Sequence, residues 1–103
     1  MVEVNLFRTE HGHYITGKGH AHEAHKPDGN LVCAAVSTIA QSLAYYIYQH
    51  EDRAAIDEIT LKDGDFTLGY ATDDEDIIKG IEAICSGFIM ISESYPDIVK
   101  VNV

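Results

Sequence analysis

The sequence predicts a two-layer α+β domain: a sheet of about five strands in ββαββαβ order, with two amphipathic helices packed on it. Three observations carry that expectation. Apolar residues recur at helical spacing in two long segments, five short segments alternate polar and apolar residues, and turn-forming residues separate them. The chain has 103 residues, the length of a single domain, read as 1–103. A chain of that size buries roughly two thirds of its unfolded surface. It therefore needs neither a disulfide nor a structural metal to fold. A hydrophobic fraction of 46% and a charged fraction of 23% are ordinary globular values.

Val2, Val4 and Leu6 alternate with Glu3, Asn5 and Phe7, the pattern of a strand with one apolar face. Thr9-Glu10-His11-Gly12 is a turn, and His13 to Lys18 returns as the second strand of a hairpin. Gly19 to Asn30 has no period and contains the turn signal Lys26-Pro27-Asp28-Gly29; loops of that length commonly carry function. Leu31 to about His50 reads as a helix, because Val32, Val36, Ile39, Leu43 and Ile47 form one apolar stripe, with Asn30 as its N-cap. Ile56, Ile59 and Leu61 mark a third strand, Asp63-Gly64 a hairpin turn, and Phe66, Leu68 and Tyr70 a fourth strand. Thr72-Asp73-Asp74-Glu75 fits a capping box. Ile77, Ile81, Ile84, Phe88 and Ile91 then define the buried face of a second helix. The acids Asp73 to Asp76 suit the positive end of its dipole better than they suit a metal. Tyr95-Pro96 stops the helix, and Ile98 to Val103 forms a last strand with Val99, Val101 and Val103 on one face.

Seven Lys and Arg against seventeen Asp and Glu leave a net charge of −10. Phosphate backbones repel such a surface, so nucleic acid is not an expected partner. A basic protein or peptide is the better electrostatic match, although acidity also serves solubility alone. No apolar run is read as approaching the ~18 residues of a membrane span. Met1 to Arg8 lacks a basic start followed by an apolar block, so no signal peptide is expected. Cys33 and Cys85 are then reduced thiols in the cytoplasm.

Cys33 sits near the start of the first predicted helix, where unpaired backbone N–H groups and the helix dipole favour negative charge. A cysteine in such a place ionises more readily, and the same N–H groups can hold an oxyanion. A loop containing His20, His22 and His25 directly precedes it, and a histidine within reach would act as general base and acid. Core packing is the competing reading of Cys33, since free cysteines are usually buried. Cys85, mid-helix and far from any histidine in sequence, reads as buried and inert. The same histidines with Cys33 also admit a metal-binding module, although their spacing matches no common zinc pattern. A third reading is a non-catalytic acidic adaptor that holds a basic protein.

Gly19-His20-Ala21, followed by a loop and then Leu31-Val32-Cys33-Ala34-Ala35-Val36-Ser37, resembles the ribosomal-processing cysteine proteases of the Prp family. The resemblance covers essentially the whole chain. It implies a small α+β homodimer that needs no metal or other cofactor. It further implies a cysteine endopeptidase that removes the N-terminal extension of the twenty-seventh large-subunit ribosomal protein. That basic precursor is its partner, with no direct nucleic-acid or membrane partner. By the match, Cys33 is the nucleophile and His20 the general base and acid, with Gly19, Asn30 and Ser37 in support. Where the family commonly has Gly-x-Asp, this chain has Asp28-Gly29-Asn30. Asn30 therefore keeps an amide where the family has a carboxylate.

Overall fold

The computed structural model describes residues 1–19 and 29–103. The element order is the expected one: β1 (Val2–Thr9), β2 (Gly12–Lys18), α1 (Gly29–Gln49), β3 (Ala55–Lys62), β4 (Asp65–Ala71), α2 (Glu75–Ser94) and β5 (Val99–Asn102). The loop expected between β2 and α1 lies, over residues 20–28, outside the described residues, and His20, His22 and His25 lie there with it.

The five strands form one sheet in the order β3-β4-β2-β1-β5. Both predicted hairpins are present, β1 with β2 and β3 with β4, and β2 pairs antiparallel with β4 to join them. β5 returns parallel to β1, with Val2 opposite Val99 and Val4 opposite Val101. Leu6, Ile15, Leu68 and Ile59 fall in one cross-strand row on the face that the helices cover. The adjacent row, Asn5, Thr16, Thr67 and Thr60, lies on the opposite, polar face. The core fills the space between sheet and helices, with Val4, Leu43, Ile47, Leu68 and Phe88 fully buried.

β3 departs from strict alternation for a physical reason. Ile56 pairs with Tyr70 and Ile59 with Leu68, with the register shifting between Ile56 and Glu58. Asp57 is the extra residue of this bulge, so two isoleucines three positions apart face the same core. The bulged carboxylate accepts a hydrogen bond from the Tyr14 hydroxyl at 2.7 Å, which raises the Tyr14 pKa.

Both helix starts differ from expectation. α1 begins at Gly29, so Asn30 lies inside the first turn instead of capping it. α2 is capped by Asp74 and not by Thr72: the Asp74 carboxylate accepts from the N–H groups of Asp76 and Ile77. Thr72 instead braces the approach, donating to the Arg53 carbonyl at 2.7 Å and accepting from the Asp74 N–H at 3.0 Å. Glu75 and Asp76 fill the first turn as dipole partners. On α2, Cys85 takes a buried position, while Ile84 and Ile91 are only partly buried.

α1 also overturns the expectation about apolar length. From Leu31 to Gln49 it carries no charged residue and is long and apolar enough, by length and composition, to cross a membrane. In this fold it is a core helix: Val32, Val36, Ala40, Leu43 and Ile47 pack into the interior. Its neighbour α2 approaches closely at Gly80, where a Cβ would collide with the Tyr46 ring.

Replacing the α2 cap, Asp74→Ala, is expected to cost about 1 kcal/mol in urea unfolding. Glu75→Ala is expected to change stability by less than about 0.5 kcal/mol, since it removes only an exposed dipole partner. Equal losses would return the capping role to the Thr72–Glu75 box.

Candidate active site

The end of the sheet where β2 finishes and α1 begins holds a small cleft. Val2, Gly17 and Gly19 line it from the sheet, and Cys33, Val36 and Ser37 from α1. The β3–β4 hairpin closes the remaining side through residues 62–66. Three sequence-predicted site residues, Gly19, Cys33 and Ser37, therefore meet at one place. Cys33 and Ser37 are one helical turn apart on the same face, which is why both reach the cleft.

Gly19 is the structural hinge of this cleft. Its N–H donates to the Gly64 carbonyl at 3.0 Å, tying the end of β2 to the tip of the β3–β4 hairpin. Its φ is +104°, a conformation side chains avoid, and a Cβ would land on the Met1 carbonyl. The glycine thus keeps clear the backbone junction itself. His20, the next residue in sequence, lies outside the described residues.

Cys33 is a free, half-buried thiol that packs partly against the core. Because α1 begins at Gly29, Cys33 is its fifth residue and opens the second turn. Its own N–H therefore falls within the helical hydrogen-bond pattern, and the unpaired N–H groups belong to the residues before it. The Cα–Cβ bond tilts toward the helix N-terminus, back over that first turn. Cys33 thus packs partly against the core, as the core-packing reading expects, and also lines the cleft. Cys85 differs in kind. It is 6% exposed, and burial pushes its thiol pKa up to about 11. Such a thiol is neither ionised nor accessible at neutral pH.

Several groups at the cleft escape sequence reasoning. Lys18, Lys62, Asp63 and Asp65 line it because β2 and β4 are neighbours, with Lys18 opposite Asp65. Phe66 packs its ring over Gly17 and stacks on Phe88 with centroids 5.9 Å apart. No short-range signal joins strands that α1 and β3 separate in sequence. The carbonyls of Met1 and Gly64 act through backbone alone, and every residue type supplies one.

Of the proposed metal ligands His20, His22, His25 and Cys33, only Cys33 falls among the described residues. Among the described residues, no three His, Cys, Asp or Glu side chains are grouped to hold a metal ion.

In native protein, iodoacetamide at neutral pH is expected to add once, at Cys33. A second adduct, at Cys85, should form only in denaturant; peptide mass analysis reads both. For backbone strain, Gly19→Ala is expected to cost about 2 kcal/mol in urea unfolding. Stability unchanged in Gly19→Ala would show that the junction can relax around a side chain.

Comparison with solved structures bears on the fold. A Streptococcus mutans protein aligns over 99% of this chain and 92% of its own, with 24% identity and a TM-score of 0.74. The S. aureus ribosomal processing protease Prp, solved with a covalently linked product peptide, aligns over 99% of this chain and 98% of its own, at 19% identity and a TM-score of 0.74. The same enzyme solved with a substrate peptide gives 15% identity and a TM-score of 0.75 over the same shares of the two chains. At these identities the likeness is one of fold. No curated protein sequence matches the chain. The family model of the cysteine protease Prp, however, matches residues 1–100, and the chain belongs to that family of cysteine proteases.

Proposed function

We propose that this protease processes a ribosomal protein, removing the N-terminal extension of the twenty-seventh large-subunit protein, with Cys33 as nucleophile and His20 as general base and acid. The observation that carries this reading is that Gly19, the residue before His20, and Cys33 line one cleft. Family membership supplies the reaction class. The S. aureus relative, a ribosomal processing protease solved with substrate and product peptides, supplies the substrate class.

The chemistry follows the general course of thiol hydrolysis. His20 takes the Cys33 proton, and the sulfur attacks the scissile carbonyl. The tetrahedral oxyanion is held by N–H groups of the first turn of α1, which lack acceptors within the helix. The C–N bond then breaks, and His20 gives its proton to the departing amine. Water, deprotonated by His20, cleaves the thioester and restores the thiol. Ser37 supports the thiol from the next turn. Asn30, inside the first turn, supports the site through an amide, as asparagine does in some other cysteine proteases. In this reading the enzyme acts as a homodimer in the cytoplasm, where thiols stay reduced and ribosomes assemble.

The test is incubation with the host's precursor ribosomal protein, followed by mass analysis. Cys33→Ala is expected to lower cleavage by at least about a thousandfold while the fold persists. His20→Ala should lose activity to a similar degree, and His22→Ala should keep most of it. Full cleavage by Cys33→Ala would end the nucleophile assignment. Loss in His22→Ala alone would move the base to His22.

A further inference from the structure

The cleft at Cys33 does not end at Ser37. Ser37, Lys62, Asp63 and Phe66 also line a second, larger cavity of about 250 Å³ between α1 and the β3–β4 hairpin. Ala40 and Gln41 extend its helix wall, and Leu61 extends its strand wall. The two cavities are consecutive parts of one groove with the thiol at one end.

The shape of the groove follows from the side chains on its walls. On α1, Cys33, Ser37 and Gln41 recur at four-residue spacing, so they follow one face of the helix along the hairpin. Beside them Ala40, 2% exposed, offers only a methyl group. On β3, Leu61 lies two residues after Ile59, on the side of the sheet that the helices cover, and it pairs with Phe66. Leu61 is nonetheless 45% exposed, an apolar side chain left open on the covered face. The α1 wall carries no charge, and Lys62 and Asp63 on the hairpin offset one another.

The length of the groove sets which part of a peptide it meets. Ser37 lies about 6 Å and Gln41 about 12 Å from Cys33 along the helix axis, at a rise of about 1.5 Å per residue. An extended peptide advances about 3.3 Å per residue. A chain leaving Cys33 along α1 therefore brings to the larger cavity a residue two to four positions from the bond that the thiol attacks.

We propose that this groove is a specificity pocket for a bulky apolar substrate residue two to four positions from the scissile bond, with Gln41 and Leu61 as specificity-determining residues. The inference rests on the assignment of Cys33 as nucleophile. Continuity with the thiol cleft selects the occupant: the peptide under attack at Cys33 is the chain that reaches Ser37 next. A bulky apolar side chain covers Leu61 and Phe66 and removes their surface from water. A charged one would lose its hydration there and find no opposite charge on α1. The Gln41 amide both donates and accepts, which suits the backbone of an extended chain.

The test is cleavage of a peptide library, made by digesting a bacterial proteome, with the products sequenced by mass spectrometry and aligned on the cut bond. The unaltered chain is expected to show enrichment of bulky apolar residues at one position two to four residues from that bond. Gln41→Trp narrows the groove from an exposed helix position. It should shift the preference at that position to Gly, Ala or Ser and lower kcat/KM for bulky residues at least about tenfold. Leu61→Lys should shift the same position toward Asp and Glu. Both variants should keep the unaltered rate of Cys33 alkylation by iodoacetamide, since neither touches the thiol. A preference unchanged in both variants, or altered equally at every position, would overturn the proposal. Library cleavage with this preference while the precursor ribosomal protein stays intact would keep the pocket and end the ribosomal assignment. Cleavage of the precursor with no preference at these positions would do the reverse, and no cleavage of any peptide would overturn both.

Discussion

The hydrogen bond from the Gly19 N–H to the Gly64 carbonyl, made at a φ of +104°, is the constraint on which the cleft depends. It joins the end of β2 to the turn of a hairpin that follows α1 in sequence. On the other side, the Met1 carbonyl leaves no room for a Cβ. Three chain segments are thereby held at one corner of the sheet, and α1 starts over that corner. Were the junction to open, the residue preceding His20 would no longer share a cleft with Cys33. A glycine in this position therefore fixes where the chain leaves the sheet, and only through that does it bear on chemistry.

The second requirement is that α1 sit close enough to bring Cys33 down to the corner. Its apolar stripe packs into the core, and its contact with α2 is narrow because Gly80 admits the Tyr46 ring. The two thiols show how much the place on a helix matters. Cys85 lies mid-helix among buried residues, and desolvation suppresses its ionisation. Cys33 is only half buried and stands one turn into its helix, beside N–H groups that have no helical acceptor. The difference owes nothing to residue type.

Local patterns made most of the fold legible in the sequence. Alternation in Val2, Val4 and Leu6 and the stripe from Val32 to Ile47 each identify an element, because burial of one face imposes one period. Both hairpins were legible from their turns. The sheet order was not, since the β2–β4 pairing joins strands that α1 and β3 separate. Each helix start was missed by two residues, Leu31 against Gly29 for α1 and Thr72 against Asp74 for the cap of α2. Thr72, Asp73 and Asp74 are all capping types; in the fold the Thr72 hydroxyl is engaged with the Arg53 carbonyl and the Asp74 carboxylate takes the cap. At the site, Gly19, Cys33 and Ser37 were visible through a motif, whereas the charged lining from the β3–β4 hairpin needed the fold.

Charge acts on two length scales in this molecule. At the cleft, Lys18 and Lys62 offset Asp63 and Asp65, so the whole net charge of −10 lies elsewhere on the chain. A basic protein is therefore attracted by the field of the whole surface and not by an acidic pocket at the thiol. Such a field reaches about 8 Å at physiological ionic strength and acts mainly on the rate of encounter. Under the proposed function, discrimination among peptide bonds then falls to shape and to backbone hydrogen bonding at the corner of β2 and α1. Under the same proposal, a near-neutral cleft within an acidic surface gathers basic chains without holding their charged side chains beside Cys33.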